Sequence, residues 1–434
     1  MNIDMPLKYC FLLLCLLLGF TQCKSPGTQE ALPSDDALMD TVQRRTFNYF
    51  WEGAEPNSGL ARERIHMDGV YPENDRNVVT SGGSGFGIMA ILAGIDRGYV
   101  TPEEGLQRME RIVTFLETAD RFHGAYPHWW YGDTGKVKPF GRKDNGGDLV
   151  ETAFIMQALL SVHQYYINGN EQEKALAARI DKLWREVDWD FYRRNGRNVL
   201  YWHWSPEYGW EMDFPVHGYN ECLIMYILAA ASPTHGVPAA VYHEGWAQDG
   251  AIVEPHKVEG IELHLRYQGT EAGPLFWAQY SFLGLDPTGL KDEYCTDYFH
   301  EMRNLTLVNR AYCIRNPKHY KGFGPDCWGL TASYSVNGYA AHAPNERDDQ
   351  GVISPTAALS SIVYTPAQSL HAAHARLPPL LRKPGKYAPV RSSCQICSLR
   401  TPQSPSSQTG YRASGCSRAG SSDLPSQSGP AVPA

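Results

Sequence analysis

Residues 148–167 read DLVETAFIMQALLSVHQYYI, and residues 171–189 read EQEKALAARIDKLWREVDW. The first stretch is apolar almost all the way round a helix. The second carries its apolar side chains on one face and its charges on the other. A helix apolar all round is buried on both sides, whereas an amphipathic one meets water on one side. The alternation repeats outward from this pair. Ser84–Gly98 is apolar, and the segment from Thr101 to Phe122 is amphipathic. That segment opens on Thr101-Pro102-Glu103-Glu104, an N-cap followed by proline and early acids. Asp36–Trp51 has a helix-like face, Glu221–Ala231 is apolar, Tyr294–Ile314 is amphipathic, and Ser354–Leu370 opens at Ser-Pro. Few stretches read as strands, although Val199–Met212 fits a hairpin around Ser205-Pro206. The expectation is an all-α domain, an inner ring of helices wrapped by an outer ring, that is, an (α/α) toroid.

Composition narrows the function classes. Of 434 residues, 43% are hydrophobic and 20% charged, enough to fold most of the chain, and the net charge of −8 argues against a nucleic-acid partner. The ends differ from the middle. Residues 371–434 hold eight Lys/Arg and one acid, Asp423, so 46 of the 47 acidic residues precede them. This Ser- and Pro-rich stretch reads as disordered. At the other end, the ten-residue run Phe11–Phe20 (FLLLCLLLGF) is too short to span a bilayer but suits a signal segment. Cys23 follows it, as the lipidated first residue of a mature lipoprotein would. The expected division is residues 1–23 signal, 24–35 polar linker, 36–370 folded domain and 371–434 tail, with the protein exported to the periplasm or anchored to the outer membrane by lipid. Cys222, Cys295, Cys313 and Cys327 lack zinc-site spacing, so neither a metal nor a cofactor is expected, and their pairing is not deducible.

Candidate chemistry gathers where apolar helices start. Asp144, Asp148 and Glu151 are spaced four and three, so a helix beginning near Asp144 would carry them on one face. Crowded carboxylates repel, and the least exposed keeps its proton at higher pH. A glycosidase needs that contrast of one protonated and one ionised acid. Asp at a helix start also serves simply as a cap. Glu221, Glu271 and Asp326 each precede another apolar segment, and Asp326 reads as an N-cap. In a toroid such starts would converge at one mouth. Trp129, Trp130, Trp202, Trp204, Trp277 and Trp328 lie near these acids, and flat rings suit pyranose faces. They suit a core equally well. The run Gly82-Gly83-Ser84-Gly85-Phe86-Gly87 looks like a phosphate loop, but it is read as following no strand and lacks the Lys-Ser/Thr ending.

Taken together, TFNYFWEGAEPNSGLARER, TSGGSGFGIMAI, HWWYGDTGK, GGDLVETAF, GYNECLIMYILAAAS, GPLFWAQYSFLGLDP and SPTAALSS resemble the "putative glucoamylase" lipoproteins of the Bacteroidetes, which are similar to glycoside hydrolase family 144. The resemblance covers residues 36–370. It implies an (α/α)6 barrel, inverting cleavage of β-1,2-glucan to short sophoro-oligosaccharides, and important carboxylates at Asp144, Asp148, Glu151 and Glu221. An inverting pair stands roughly 6.5–9.5 Å apart, so Glu221 is expected as the base, with Asp148 or Glu151 as the acid. The alternation yields about eleven helices, which leaves the last inner helix missing and points to a frameshifted end after Leu370. Two rival readings remain: another polysaccharide-cleaving enzyme on this fold, such as a starch-type exo-glucosidase or a lyase, or a non-catalytic surface glycan-binding lipoprotein.

Overall fold

The structure, a computed structural model, describes residues 33–381 except Met67, Pro72 and Asn337. Nine α-helices account for most of the regular structure among them: α1 (Asp35–Trp51), α2 (Ser81–Asp96), α3 (Pro102–Thr118), α4 (Leu149–Tyr166), α5 (Glu171–Arg185), α6 (Leu223–Ala231), α7 (Tyr298–Arg315), α8 (Pro355–Ser360) and α9 (Pro366–Leu381). No described helix is long and apolar enough to cross a membrane.

Helix starts follow the capping signals closely. Thr101 closes a capping box with Glu104 at the head of α3, and Asn170 does the same with Glu173 for α5. Helix α4 buries side chains on every face, Phe154, Ile155, Met156 and Leu159 among them, and packs against α2 and α6. Helices α3 and α5 bury one face only, α5 through Leu176, Ala177, Ile180, Leu183 and Trp184. The expected alternation of doubly and singly buried helices is therefore present from α2 to α6. Small residues allow the inner contact. A Cβ at Gly85 would lie 2.4 Å from the Phe154 carbonyl oxygen, so α2 and α4 meet backbone to backbone there.

The all-α expectation needs amending, because four small antiparallel sheets accompany the helices. β1 (Val78–Thr80), β2 (Trp129–Tyr131) and β3 (Val137–Lys138) form one. β4 (Gly147–Asp148) pairs with β5 (His203–Trp204) directly before α4. The expected hairpin is present, running from Leu200 to Val216, with Ser205 and Gly209 exchanging backbone hydrogen bonds at its turn. Regular alternation stops after α6. Residues 241–246 form a π-helical turn, β6 (Val253–Val258) and β7 (Ile261–Leu265) form a hairpin, and Leu275–Ala278 and Tyr280–Phe282 are short 3-10 turns. β8 (Ala332–Ser335) and β9 (Gly338–Ala341) make the fourth sheet.

Two boundaries also move. The helix expected over Ser354–Leu370 is broken in two by Pro366, which cannot donate a backbone hydrogen bond. The tail expected from His371 begins later, because α9 continues to Leu381. Ala372 and Ala373 are buried, His371 pairs with Asp326, and His374 reaches Asp35 of α1 at 2.5 Å. Residues 382–434 and Cys23 lie outside the described residues. Cys222, Cys295, Cys313 and Cys327 are all buried.

Candidate active site

Four of the predicted acids, Asp144, Asp148, Glu151 and Glu221, come together, but not along a single helix face. Helix α4 starts at Leu149, so Asp148 is its N-cap and Asp144 lies in the loop before it. The two oxygens of Asp148 have different partners. Its Oδ1 accepts from the Glu151 backbone N–H at 2.9 Å, which caps the helix. Its Oδ2 accepts from Trp202 Nε1 at 2.9 Å and lies 3.2 Å from His128 Nδ1. The Asp148 side chain is fully buried, and these donors occupy it.

His128 ties the acids to one another. Its Nδ1 is also 3.8 Å from Asp144 Oδ2, and its Nε2 is 3.9 Å from Glu151 Oε1. Burial works against a charged imidazole. The negative charges of Glu151, then Asp148 and Asp144, outweigh that and push His128 up to about 10. Ligating atoms of His128, Asp144 and Asp148 fall within 4.8 Å of one another, a spacing that would suit a bound cation. A cation bound there would displace the proton from His128, since an imidazolium has no lone pair for a metal. A second imidazole, His203 on β5, behaves oppositely. Its Nε2 accepts from the Gly146 backbone N–H at 3.0 Å, and burial pushes it down to about 4. It is therefore neutral beside Asp144, 3.4 Å away.

Glu151 is seated by the glycine-rich run. That run does follow a strand, β1, contrary to the sequence reading, and it opens α2. The anion at its helix N-terminus is a side chain of the same molecule: Gly82 donates its backbone N–H to Glu151 Oε2 at 2.8 Å. A Cβ at Gly82 would sit 2.2 Å from that oxygen and would push the carboxylate out of its seat. Burial, with the charge of Asp148, leaves the Glu151 carboxyl above its ordinary value, although His128 and the Gly82 N–H pull it part of the way back. Asp144 is raised chiefly by burial, and Asp148 and Glu151 add to this.

Glu221 stands two residues before α6, in the turn that leads into it. Ser281 fixes that turn by donating its hydroxyl to the Glu221 carbonyl and accepting from the Ile224 N–H. The Glu221 residue is 8% exposed, and burial followed by the charges of Glu151 and Asp148 pushes its carboxyl up to about 8. Among the described residues, no cationic side chain offsets this.

The aromatic residues divide. Trp202 holds Asp148 from the site wall, and Trp129 packs on Phe140 beside His128 with Lys138 over its ring. Trp204 packs edge-on against His123 and Phe191, and Trp277 lies parallel to Tyr267; both are partly exposed. Trp130 and Trp328 are 0% and 1% exposed and belong to the core, because their rings fill space between elements. Asp326 caps no helix, since an extended segment follows it; its carboxylate goes to His371 instead. Glu271 is exposed, and its carbonyl accepts from His256. Sequence reasoning missed His128, Gly82, Tyr280 and Tyr339. The Tyr280 ring packs among Phe86, Phe154 and Phe276 at 4.7–5.4 Å. Burial raises the hydroxyls of both tyrosines, and the charges of Glu151 and Glu221 add to this. The only hint in sequence was that His128 and Tyr280 lie within the family-like motifs HWWYGDTGK and GPLFWAQYSFLGLDP.

A predominantly helical body with a buried carboxylate cluster fed by helix starts and walled by aromatic rings defines a class of carbohydrate-active protein. Comparison places the chain within it. Residues 213–392 match the family described as "Putative glucoamylase". A crystal structure of a "putative glucoamylase" from Bacteroides caccae is 88% identical, covering 78% of this chain and 82% of that one, with a TM-score of 0.77. The endo-β-1,2-glucanase of Chitinophaga pinensis, solved with sophorotriose and glucose, is 65% identical over 82% of this chain and 85% of that one, with a TM-score of 0.79. The exo β-1,2-glucooligosaccharide sophorohydrolase of Parabacteroides distasonis is 44% identical over 356 residues. The chain spans about half (48%) of that curated relative's length. The chain belongs to this glucoamylase-like family of the Bacteroidetes, the one that holds the β-1,2-glucanases of glycoside hydrolase family 144.

Proposed function

We propose that this chain is a glycoside hydrolase that cleaves β-1,2-glucan to short sophoro-oligosaccharides by inverting acid–base chemistry. The observation that carries the reading is the contrast between Glu221 and the acids gathered around His128. Glu221 is buried and, with its carboxyl near 8, holds its proton at neutral pH, as the general acid must. Glu151 receives the Gly82 N–H and the imidazolium, both of which favour its ionised form, as the base needs. These roles reverse the assignment made from spacing. Glu221 protonates the leaving glycosidic oxygen while Glu151 takes a proton from the attacking water, and the anomeric centre inverts. Asp148, its oxygens occupied, orients His128 and Trp202, and Asp144 completes the negative wall. Trp129, Trp202, Trp204 and Trp277 supply ring faces for glucose units.

The same proposal takes the domain as an (α/α)6 toroid lacking its last inner helix, and residues 393–434 as a segment foreign to it. Cys23 is proposed to carry a lipid after export, which would hold the domain at the periplasmic or outer-membrane surface.

The test is to incubate the purified protein with β-1,2-glucan and follow reducing ends and product anomers by NMR. Sophoro-oligosaccharides appearing first as the α-anomer are expected. Release from starch but not from β-1,2-glucan would give the activity to a glucoamylase-like enzyme. Binding without release from any glucan would make this a glycan-binding protein.

A further inference from the structure

His128 was not among the residues that the acids' spacing singled out, yet it is the group they share. Its imidazole reaches three carboxylates from both ring nitrogens: Asp148 at 3.2 Å and Asp144 at 3.8 Å through Nδ1, and Glu151 at 3.9 Å through Nε2. The ring is fixed in that attitude. Phe140 stacks on it with centroids 4.2 Å apart and planes 17° from parallel. Its backbone carbonyl accepts from the N–H and the hydroxyl of Ser81, both at 3.1 Å, at the head of α2. A second imidazole, His203, faces the cluster; burial holds it neutral, and its Nε2 accepts from Gly146. No lysine or arginine contact to Asp144, Asp148 or Glu151 occurs among the described residues. His128 is thus the one cation in the cluster.

We propose that His128 is a positioning residue of the hydrolase: set between Asp144, Asp148 and Glu151, its imidazole holds these carboxylates in register and favours the ionised form of the base, so that the acid of the site is Glu221. A neutral side chain at 128 would leave three carboxylates facing one another in a poorly solvated space. One or more would take up a proton, and the base would be lost from that population.

The proposal rests on the hydrolase reading, so its test includes an arm that needs no turnover. With ring-15N-labelled histidine, the His128 nitrogens of the full wild-type chain are followed from pH 5 to 9.5. The expected result is that both nitrogens stay protonated up to at least pH 9, even if no glucan is cleaved. A titration near the ordinary histidine value, about 6.5, would overturn the proposal. The second arm compares His128→Gln with His128→Lys on β-1,2-glucan. The neutral variant is expected to move the acidic limb of the kcat/KM profile upward by about one pH unit or more, with KM little changed, and the cationic variant to restore part of the shift. Loss of kcat with the limb unmoved would show a packing role and overturn it. So would loss of wild-type activity in EDTA with recovery on adding a divalent cation, which would make the cluster a metal site.

Discussion

Asp148 shows how one residue can meet two demands. It caps α4 with one oxygen and aims the site with the other, so Asp148→Ala should harm both. The expected loss of stability is about 1 kcal/mol from the cap alone, read by urea denaturation. Glu221 should behave in the opposite way. Its folded-state carboxyl is raised to about 8 from an unfolded value near 4.3, so over that window the folded protein holds the extra proton. That contribution is complete below about pH 4 and disappears as pH rises through 8, so the wild type loses stability on that side. Glu221→Gln is therefore expected to cut turnover by about 10²–10⁴-fold, yet to gain on the order of 1–3 kcal/mol over wild type at pH 9 but not at pH 4. A stability gap that does not widen with pH would refute the protonation assigned to Glu221. Gly82→Ala should abolish activity with little sugar-binding loss, because a methyl group cannot share space with Glu151 Oε2. The residues legible in sequence were those next to a helix-start signal: Asp148, Glu151 and Glu221. His128 was not legible, because its meaning comes from three acids that only the folded chain brings to it.

Among the elements, the helices from α1 to α5 were readable because local signals agreed with the pattern of burial. Thr101-Pro102-Glu103-Glu104 names its own cap, and α4 has no polar face to orient. Residues 233–296 were not readable. Their π-helical turn, hairpin and 3-10 turns have no period to recognise, and they hold their shape through contacts such as Ser281 to Glu221 and Tyr219 to Arg266. Helix α4 is the element on which the rest converges. Leu159→Ala, at a fully buried position, is expected to cost about 2–5 kcal/mol, whereas Lys174→Ala on the outer face of α5 should fall within about 0.5 kcal/mol of wild type. Denaturation midpoints of the pair would show whether the inner and outer helices differ as their packing says.

Across the whole molecule, charge and cap patterns suffice to call the body helical and acidic, but they do not tell where it finishes. From His371 on, helix α9 reads as tail by composition and as structure by contact: Ala372 and Ala373 are buried, His371 and His374 pair with Asp326 and Asp35, and Arg376 donates to the Asp326 and Gly322 carbonyls. A chain ending at residue 392 is expected to unfold at the same temperature as the full one, and a chain ending at Thr365 is expected to lose cooperative unfolding in calorimetry. The contact between His374 and Asp35 has a consequence for engineering. The last described helix and the first meet at 2.5 Å, so the body has no privileged starting point. Joining those ends through a short Gly/Ser bridge and reopening the chain in the exposed loop at 233–236 would yield a circular permutant with the same interior. In it, α6, whose leading turn carries Glu221, would become the last helix of the polypeptide.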